Sequence, residues 1–431
     1  MSDPGHLLLV FGVFAGLLAL RLPVAFCLGL SAFAYVFAAG VPALLVVQKI
    51  ASQSADPTLL AIPFFILCGE IMSRGGMAGR LIDLANVFVG FIRGGLAMVN
   101  VAASMFFGGI SGSSVADTSS IGALMIPAMT RRGYDRDFSV AVTVTSSTQG
   151  ILVPPSHNAI LFSLAAGGTV SIKSLFLAGY VPGTLIGLAL MVLAHAVARR
   201  RGYPSEARIE ARRALRIATG AVPALLTPLI IIVPIALGRV PAHQAAVVAV
   251  VWSALVSTLV YRSLPLAAYP GLLLRAARTS SLVLILIGCA AAFGEVMTYL
   301  HVPQQLAAAL AGFVDSPWVL LLLINAAVLL LGMVMDMAPL IVILTPILLP
   351  VVVAAGVDPV HFGVVLLLNL AIGLCTPPVG STLFVGCAIG GINMERAARG
   401  LWPFYLAMVA VLLLVTLVPA MSLWLPRWVG G

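Results

Sequence analysis

The chain has 431 residues, 61% of them hydrophobic and 9% charged, with a formal net charge of +9. Apolar windows of about 18 or more residues recur along its whole length, which marks a polytopic α-helical membrane protein and excludes a large soluble domain. The arginines sit in short loops between apolar stretches, so the positive charge reports membrane topology and gives no reason to expect nucleic-acid binding.

Enzymatic readings find no support. The five cysteines, Cys27, Cys68, Cys289, Cys375 and Cys387, lie in apolar segments without C-x-x-C spacing and are expected to be buried as small hydrophobes. Neither lysine, Lys49 or Lys173, follows a glycine, so there is no P-loop, and the histidines make no H-E-x-x-H. Met1 to His6 carries no basic n-region, so the first helix is expected to stay uncleaved.

In chain order, apolar segments at about 7–20 and 24–46 are followed by one from about 57 to 72 that ends in Gly69-Glu70-Ile71-Met72. Arg80, Asp83, Asn86, Gly90 and Arg93 then recur every three or four residues, the narrow polar stripe of an interfacial arm at 78–93. Two apolar arms around Gly108-Gly109-Ile110-Ser111-Gly112-Ser113-Ser114 are each short for a crossing, so residues 95–130 are expected to form a re-entrant hairpin. A helix broken at Pro154-Pro155 occupies 138–168, a span follows at 175–198, and a basic cytoplasmic linker runs over 199–218.

The second half repeats this order. Gly294-Glu295-Val296-Met297 echoes the first Gly-Glu-Ile-Met at an offset of 225. An offset of 223 then relates Gly109 to Gly332, Pro127 to Pro350, Gly133 to Gly356, Asp135 to Asp358 and Pro154-Pro155 to Pro377-Pro378. Concordance at one register is the signature of an internal duplication. The second copy comprises helices at 220–299, an arm at 302–315, a hairpin at 317–352, a broken helix at 359–390 and a span at 401–425.

Five crossings plus one hairpin per copy force the second copy upside down. With the N-terminus outside, inner loops receive 19 of the 23 basic residues, as the positive-inside rule requires. Both termini are therefore expected on the periplasmic side. Cysteine labelling at Ser205→Cys is expected only from the cytoplasmic face; labelling only from outside would invert this topology.

Inverted repeats with discontinuous helices are the architecture of secondary transporters. Adjacent prolines remove two N–H donors, so the carbonyl oxygens of Gly150, Ile151, Gly373 and Leu374 are expected to lose their helical partners. Freed carbonyls and hydroxyls are hard, neutral ligands for sodium, and half-helix N-termini offer N–H groups to an anion. The expected sodium set is Ser111, Ser114, Ser147, Gly150, Ile151, Asp336, Gly373 and Thr376. The expected substrate set is Ser113, Ser156, Asn158, Gly380, Ser381 and Thr382. Hydroxyls that bond back to their own helix are the competing reading for each serine and threonine.

Among the acids, Asp117 and Asp336 lie near hairpin tips, where a sodium ion or a hairpin-stabilising hydrogen bond would satisfy either, the ion-related role being favoured, while Glu70 and Glu295 lie at span ends and suit structural roles. His157 has no counterpart, since Gly380 takes its place; contact with substrate and simple packing both remain open.

Ile62-Pro63-Phe64-Phe65-Ile66-Leu67-Cys68-Gly69-Glu70-Ile71-Met72, Met105-Phe106-Phe107-Gly108-Gly109-Ile110-Ser111-Gly112-Ser113, Gly133-Tyr134-Asp135-Arg136-Asp137-Phe138, and the run from Leu344-Thr345-Pro346 to Thr376-Pro377-Pro378-Val379-Gly380 carry a resemblance. The chain resembles the large membrane subunit of tripartite ATP-independent periplasmic (TRAP) transporters, of the DctM and SiaM type. The resemblance implies an elevator-type permease in the bacterial inner membrane, with sodium as coupling ion and no other cofactor. It also implies two separate partners, a small four-helix membrane subunit and a periplasmic substrate-binding protein. The substrates implied are organic acid anions. Where that family often has an aliphatic residue after Pro-Pro-Ser, this chain has His157-Asn158, which leaves the substrate open. Competing readings are a stand-alone sodium/dicarboxylate symporter and a non-transporting membrane subunit of an ion-translocating complex.

Overall fold

The structure, a computed structural model, describes residues 4–309 and 316–430. The described residues form helices and connecting turns. Among the described residues seven helices are long and apolar enough to cross a membrane, and further apolar helices of 10–17 residues accompany them. The fold is all-α and polytopic.

The first half contains α1 (Pro4–Ala19), α2 (Val24–Ala38), α3 (Leu44–Ser54), α4 (Ala61–Arg74) and α5 (Met77–Val89). It continues through α6 (Gly95–Ser111), α7 (Ser114–Arg131), α8 (Arg136–Ser147), α9 (Gln149–Leu152), α10 (His157–Ala165) and α11 (Ile172–Arg201). The second half contains α12 (Ala211–Ala236), α13 (Ala242–Leu255, extended by a π-helical turn over Val256–Val260), α14 (Tyr269–Tyr299) and α15 (Val302–Ala309). After it come α16 (Pro317–Gly332), α17 (Met337–Ala354), α18 (Pro359–Gly373), α19 (Ser381–Gly390), α20 (Met394–Leu417) and α21 (Ala420–Gly430). The end of the arm expected over 302–315 lies outside the described residues.

Three segments differ from the sequence reading. The stretch expected as one segment at 24–46 is two helices, because Gly40 takes a left-handed φ of 64° ahead of Pro42 and α3 starts afresh. The span expected at 401–425 ends at Leu417, and α21 begins beyond Pro419 as a separate helix packed on α11. The linker is also shorter than 199–218. Helix α11 runs through Arg201, Gly202 caps it at φ 71°, and α12 starts at Ala211.

That short linker is folded against the rest of the chain. Tyr203 Oη donates to Asp135 Oδ2 at 2.6 Å, Arg201 Nη1 donates to the same oxygen at 2.8 Å, and Arg132 pairs with Glu206 at 3.0 Å. The Tyr203 hydroxyl, joined by the Arg201 guanidinium, holds the Asp135 carboxyl below its ordinary value. A carboxyl with a depressed folded pKa stabilises the fold above its unfolded pKa of about 4, and that contribution disappears as pH falls through the folded value. Asp135 is exposed, so Asp135→Asn is expected to cost less than about 1 kcal/mol at pH 7 and nothing once the wild-type carboxyl is protonated. Thermal unfolding at pH 7 and pH 3 measures the difference.

The halves are interleaved. Helix α2 packs on α14, and α4 packs on α13, so the first three helices of each copy clasp those of the other. The duplicated glutamates cross the same boundary: Glu295 pairs with Lys49 at 2.9 Å, and Glu70 pairs with Arg275 at 3.3 Å. Helix α7 packs on α19, and its counterpart α17 packs on α10. At the centre, α8 from Phe138 to Ser147 and α18 from His361 to Gly373 are buried on every side, as a helix surrounded by helices must be.

Candidate functional site

The first hairpin closes on its broken helix. Between α6 and α7 the chain turns at Gly112, whose φ of 59° is the left-handed conformation that glycine adopts without penalty. Ser113 then caps α7 by accepting from the Ala116 N–H at 3.4 Å. The tip is tied to the break, since Asn158 Nδ2 donates to the Gly112 carbonyl at 3.2 Å. Gly108 and Gly150 touch backbone to backbone, and a Cβ at Gly150 would lie 2.6 Å from the Gly108 Cα. From the other side, Gly179 and Gly183 of α11 receive the backbone of Leu152 and the side chain of Val153.

The second hairpin repeats the contact. A Cβ at Gly373 would lie 2.7 Å from the Gly332 Cα. Val379 N–H donates to the Met333 carbonyl at 3.1 Å, and Ser381 Oγ donates to Asp336 Oδ1 at 3.2 Å, which ties this tip to its own break. The expectation of unpartnered carbonyls fails in this copy. The Gly373 oxygen accepts from Thr376 N–H at 2.9 Å, the Leu374 oxygen accepts from Thr382 N–H at 3.2 Å, and the Cys375 oxygen accepts from the Tyr405 hydroxyl. The chain tightens to an i→i+3 turn at Gly373 and folds back after Pro378, so that the first N–H groups of α19 reach the Leu374 carbonyl.

The copies meet at three hydroxyls. Ser114 Oγ and Ser147 Oγ lie 2.6 Å apart, and Thr382 Oγ1 donates to Ser114 Oγ at 3.0 Å. These residues come from α7, α8 and α19, and each is almost completely buried. Beside them Cys375 Sγ donates to the Val144 carbonyl at 3.3 Å. Three buried polar side chains in the same half have no hydrogen-bond partner of ordinary geometry among the described residues: the Thr118 and Ser156 hydroxyls and the Asp117 carboxyl, both of whose oxygens are orphaned. Leaving such groups unpaired in a membrane interior is costly.

A cavity of about 740 Å³ starts at the first hairpin tip and runs to the end of α4. Ser111, Ser113 and His157 line its inner end, and Glu70, Ser73 and Arg74 its outer end. A smaller cavity of about 190 Å³ lies beside Glu295 and Lys49, at the place the duplication assigns to Glu70.

Comparison with known proteins decides the family. The family described as "Tripartite ATP-independent periplasmic transporter, DctM component" matches residues 11–421. The chain belongs to the DctM family. It is 40% identical over 382 residues to the C4-dicarboxylate TRAP transporter large permease protein DctM of Pseudomonas aeruginosa, with 89% of each chain covered. It is 36% identical over 419 residues to the sialic acid TRAP transporter large permease protein SiaM of Vibrio cholerae, with 97% of each covered. The crystal structure of the Alcanivorax borkumensis YdaH transporter shares the fold at a TM-score of 0.63 and 15% identity, covering 86% of both chains.

Within this DctM component the site residues read from the sequence fall into three places. Ser114, Ser147 and Thr382 form the buried cross-copy cluster. Ser111 and Ser113 line the large cavity, while Ser156 and Asn158 lie buried at the break behind it. Asp336 and Ser381 pair at an exposed position next to Thr382, with Gly380 between the second break and α19 at φ 36°. Thr376 Oγ1 donates to the Ile372 carbonyl at 2.8 Å, so its hydroxyl proton is spent on its own helix. Gly150 and Gly373 are packing contacts for the hairpins, and Ile151 is buried next to the first. Sequence reasoning missed the partners Gly108 and Gly332 and the small-residue face of α11. The G-x-x-x-G spacing of Gly179, Gly183 and Gly187 was the available signal.

Proposed function

We propose that this DctM-family chain is the large permease subunit of a sodium-coupled secondary transporter that imports an organic acid anion. A separate periplasmic binding protein delivers the anion, and a small four-helix membrane subunit completes the complex in the bacterial inner membrane. The observation that carries this reading is the pair of broken helices, each closed on its own hairpin, with the three-hydroxyl cluster where they meet. The Ser114, Ser147 and Thr382 oxygens are hard and uncharged, the donor chemistry sodium prefers. Asp117, on the same helix as Ser114, lies fully buried in the same half.

The large cavity opens beside Arg74, on the face that carries most of the arginines. By the positive-inside rule that face is cytoplasmic, and this conformation faces inward. In an elevator cycle the hairpins and broken helices move together, and the small cavity at Glu295 enlarges as the large one closes. The driving force needs no ATPase. Each positive charge entering down about 100 mV gains about 2.3 kcal/mol, and a tenfold sodium gradient adds about 1.4 kcal/mol per ion.

Uptake into proteoliposomes tests the reading: accumulation requires an inward sodium gradient, the small subunit and the binding protein. Uptake without a binding protein would make the chain a stand-alone symporter, and no uptake under any gradient would make it a non-transporting subunit. Pro154→Ala combined with Pro155→Ala is expected to weaken sodium activation by about tenfold or more while leaving a folded protein, since it restores two backbone donors to the helix. Normal sodium activation in that variant would remove the break from the ion site.

A further inference from the structure

The cavity contains one side chain that the fold does not explain. His157 opens α10, and its ring faces the hairpin tip, where a Cβ at Gly112 would come within 3.1 Å of Nδ1. Among the described residues neither ring nitrogen has a hydrogen-bond partner, and the residue lines the large cavity. His361 shows what a structural imidazole looks like here: Nδ1 bonds the Ser422 hydroxyl at 2.7 Å, and Nε2 bonds the Thr416 carbonyl at 3.3 Å. The other copy places Gly380 at the corresponding position, so the hairpin-and-break geometry forms without a histidine. A half-covered polar ring without a partner loses a hydrogen bond it would have in water, and the cavity is the direction from which a partner can come.

The charges lining the same cavity limit what enters. Glu70 and Arg74 are its charged residues, and Glu70 is shared between Arg74 at 3.9 Å and Arg275 at 3.3 Å. Arg275 engages Glu70 more closely from outside the lining, which leaves Arg74 as the cavity's available cation. One carboxylate pairs with it, and among the described residues the lining holds no second cation for another. A neutral imidazole offers one donor and one acceptor, which suits an uncharged oxygen.

We propose that His157 determines substrate selection, and that the cavity takes a monocarboxylate bearing a hydroxyl or keto oxygen that bonds to the His157 ring. The proposal rests on the transport reading and narrows its substrate class.

The test is uptake by the complete reconstituted complex, together with ligand-induced thermal stabilisation of the purified chain. The probes are lactate against propionate, gluconate against hexanoate, pyruvate, and succinate. Wild type is expected to favour at least one hydroxy or keto acid over its unsubstituted partner and over succinate by about tenfold or more, the scale of one good hydrogen bond. His157→Leu is expected to erase that preference, and His157→Gln is expected to retain part of it. Preference for succinate, or an unchanged preference in a folded His157→Leu protein, overturns the proposal and leaves the transport reading intact. No response of wild type to any organic anion overturns both.

Discussion

Gly150→Ala and Gly373→Ala each are expected to lose about 3 kcal/mol or more of stability and to bring uptake to background. A Cβ at either position meets the facing backbone at 2.6–2.7 Å, inside any real carbon–carbon contact, and the obstacle is main chain that cannot rotate away. Overpacking of a well-filled interior costs about 1–3 kcal/mol even where side chains can give. Gly79→Ala is the control, since a Cβ there meets nothing within 4 Å, and it is expected to match or exceed wild type by up to about 1 kcal/mol. Thermal unfolding of the purified protein in detergent measures all three. Wild-type melting of Gly150→Ala would show that hairpin and break separate without cost.

The second large effect is expected at the hydroxyl cluster. Ser147→Ala removes the oxygen that lies 2.6 Å from Ser114, and Thr382→Val keeps the shape of the third member while deleting its hydroxyl. Each variant is expected to raise the sodium concentration for half-maximal uptake by about tenfold or more, while the loss of one neutral hydrogen bond at Thr382, or of two at Ser147, costs stability only about 1–2 kcal/mol. The contrast between the two readouts is the point: a purely structural cluster would lower the melting temperature and leave sodium activation where it was. Thr376→Val is the internal comparison, because its hydroxyl bonds the Ile372 carbonyl and contacts no member of the cluster, and it is expected to shift sodium activation far less.

Much of this architecture was legible from periodicity and register. Apolar windows identify the helices, because a lipid interior admits few other residues. The offset of 223 identifies the copies because Gly and Pro hold backbone geometries that other residues do not replace. Gly133 and Gly356 take left-handed φ values of 84° and 81°, and Asp135 and Asp358 follow each at the start of α8 and α18. What remained hidden depends on pairs of distant residues. Asp358 caps its helix through Val360 N–H at 2.8 Å, whereas Asp135 turns to Tyr203 and Arg201, partners that exist in one copy alone. The Leu374 carbonyl, released by Pro377-Pro378, found its donor in α19 because of how the chain returns, which no spacing encodes. The separate α3 and α21 were readable, from Gly40 with Pro42 and from Pro419, and a smooth apolar profile concealed them.

The exchange of partners between the copies also bears on how the protein is made. While residues 1–210 alone have left the ribosome, α2 and α4 lack α14 and α13, and α7 and α10 lack α19 and α17. Those faces of the first half have no helix to pack on until the second half is present. A gene split at the linker is therefore expected to be rescued only when both fragments are supplied to the same membrane.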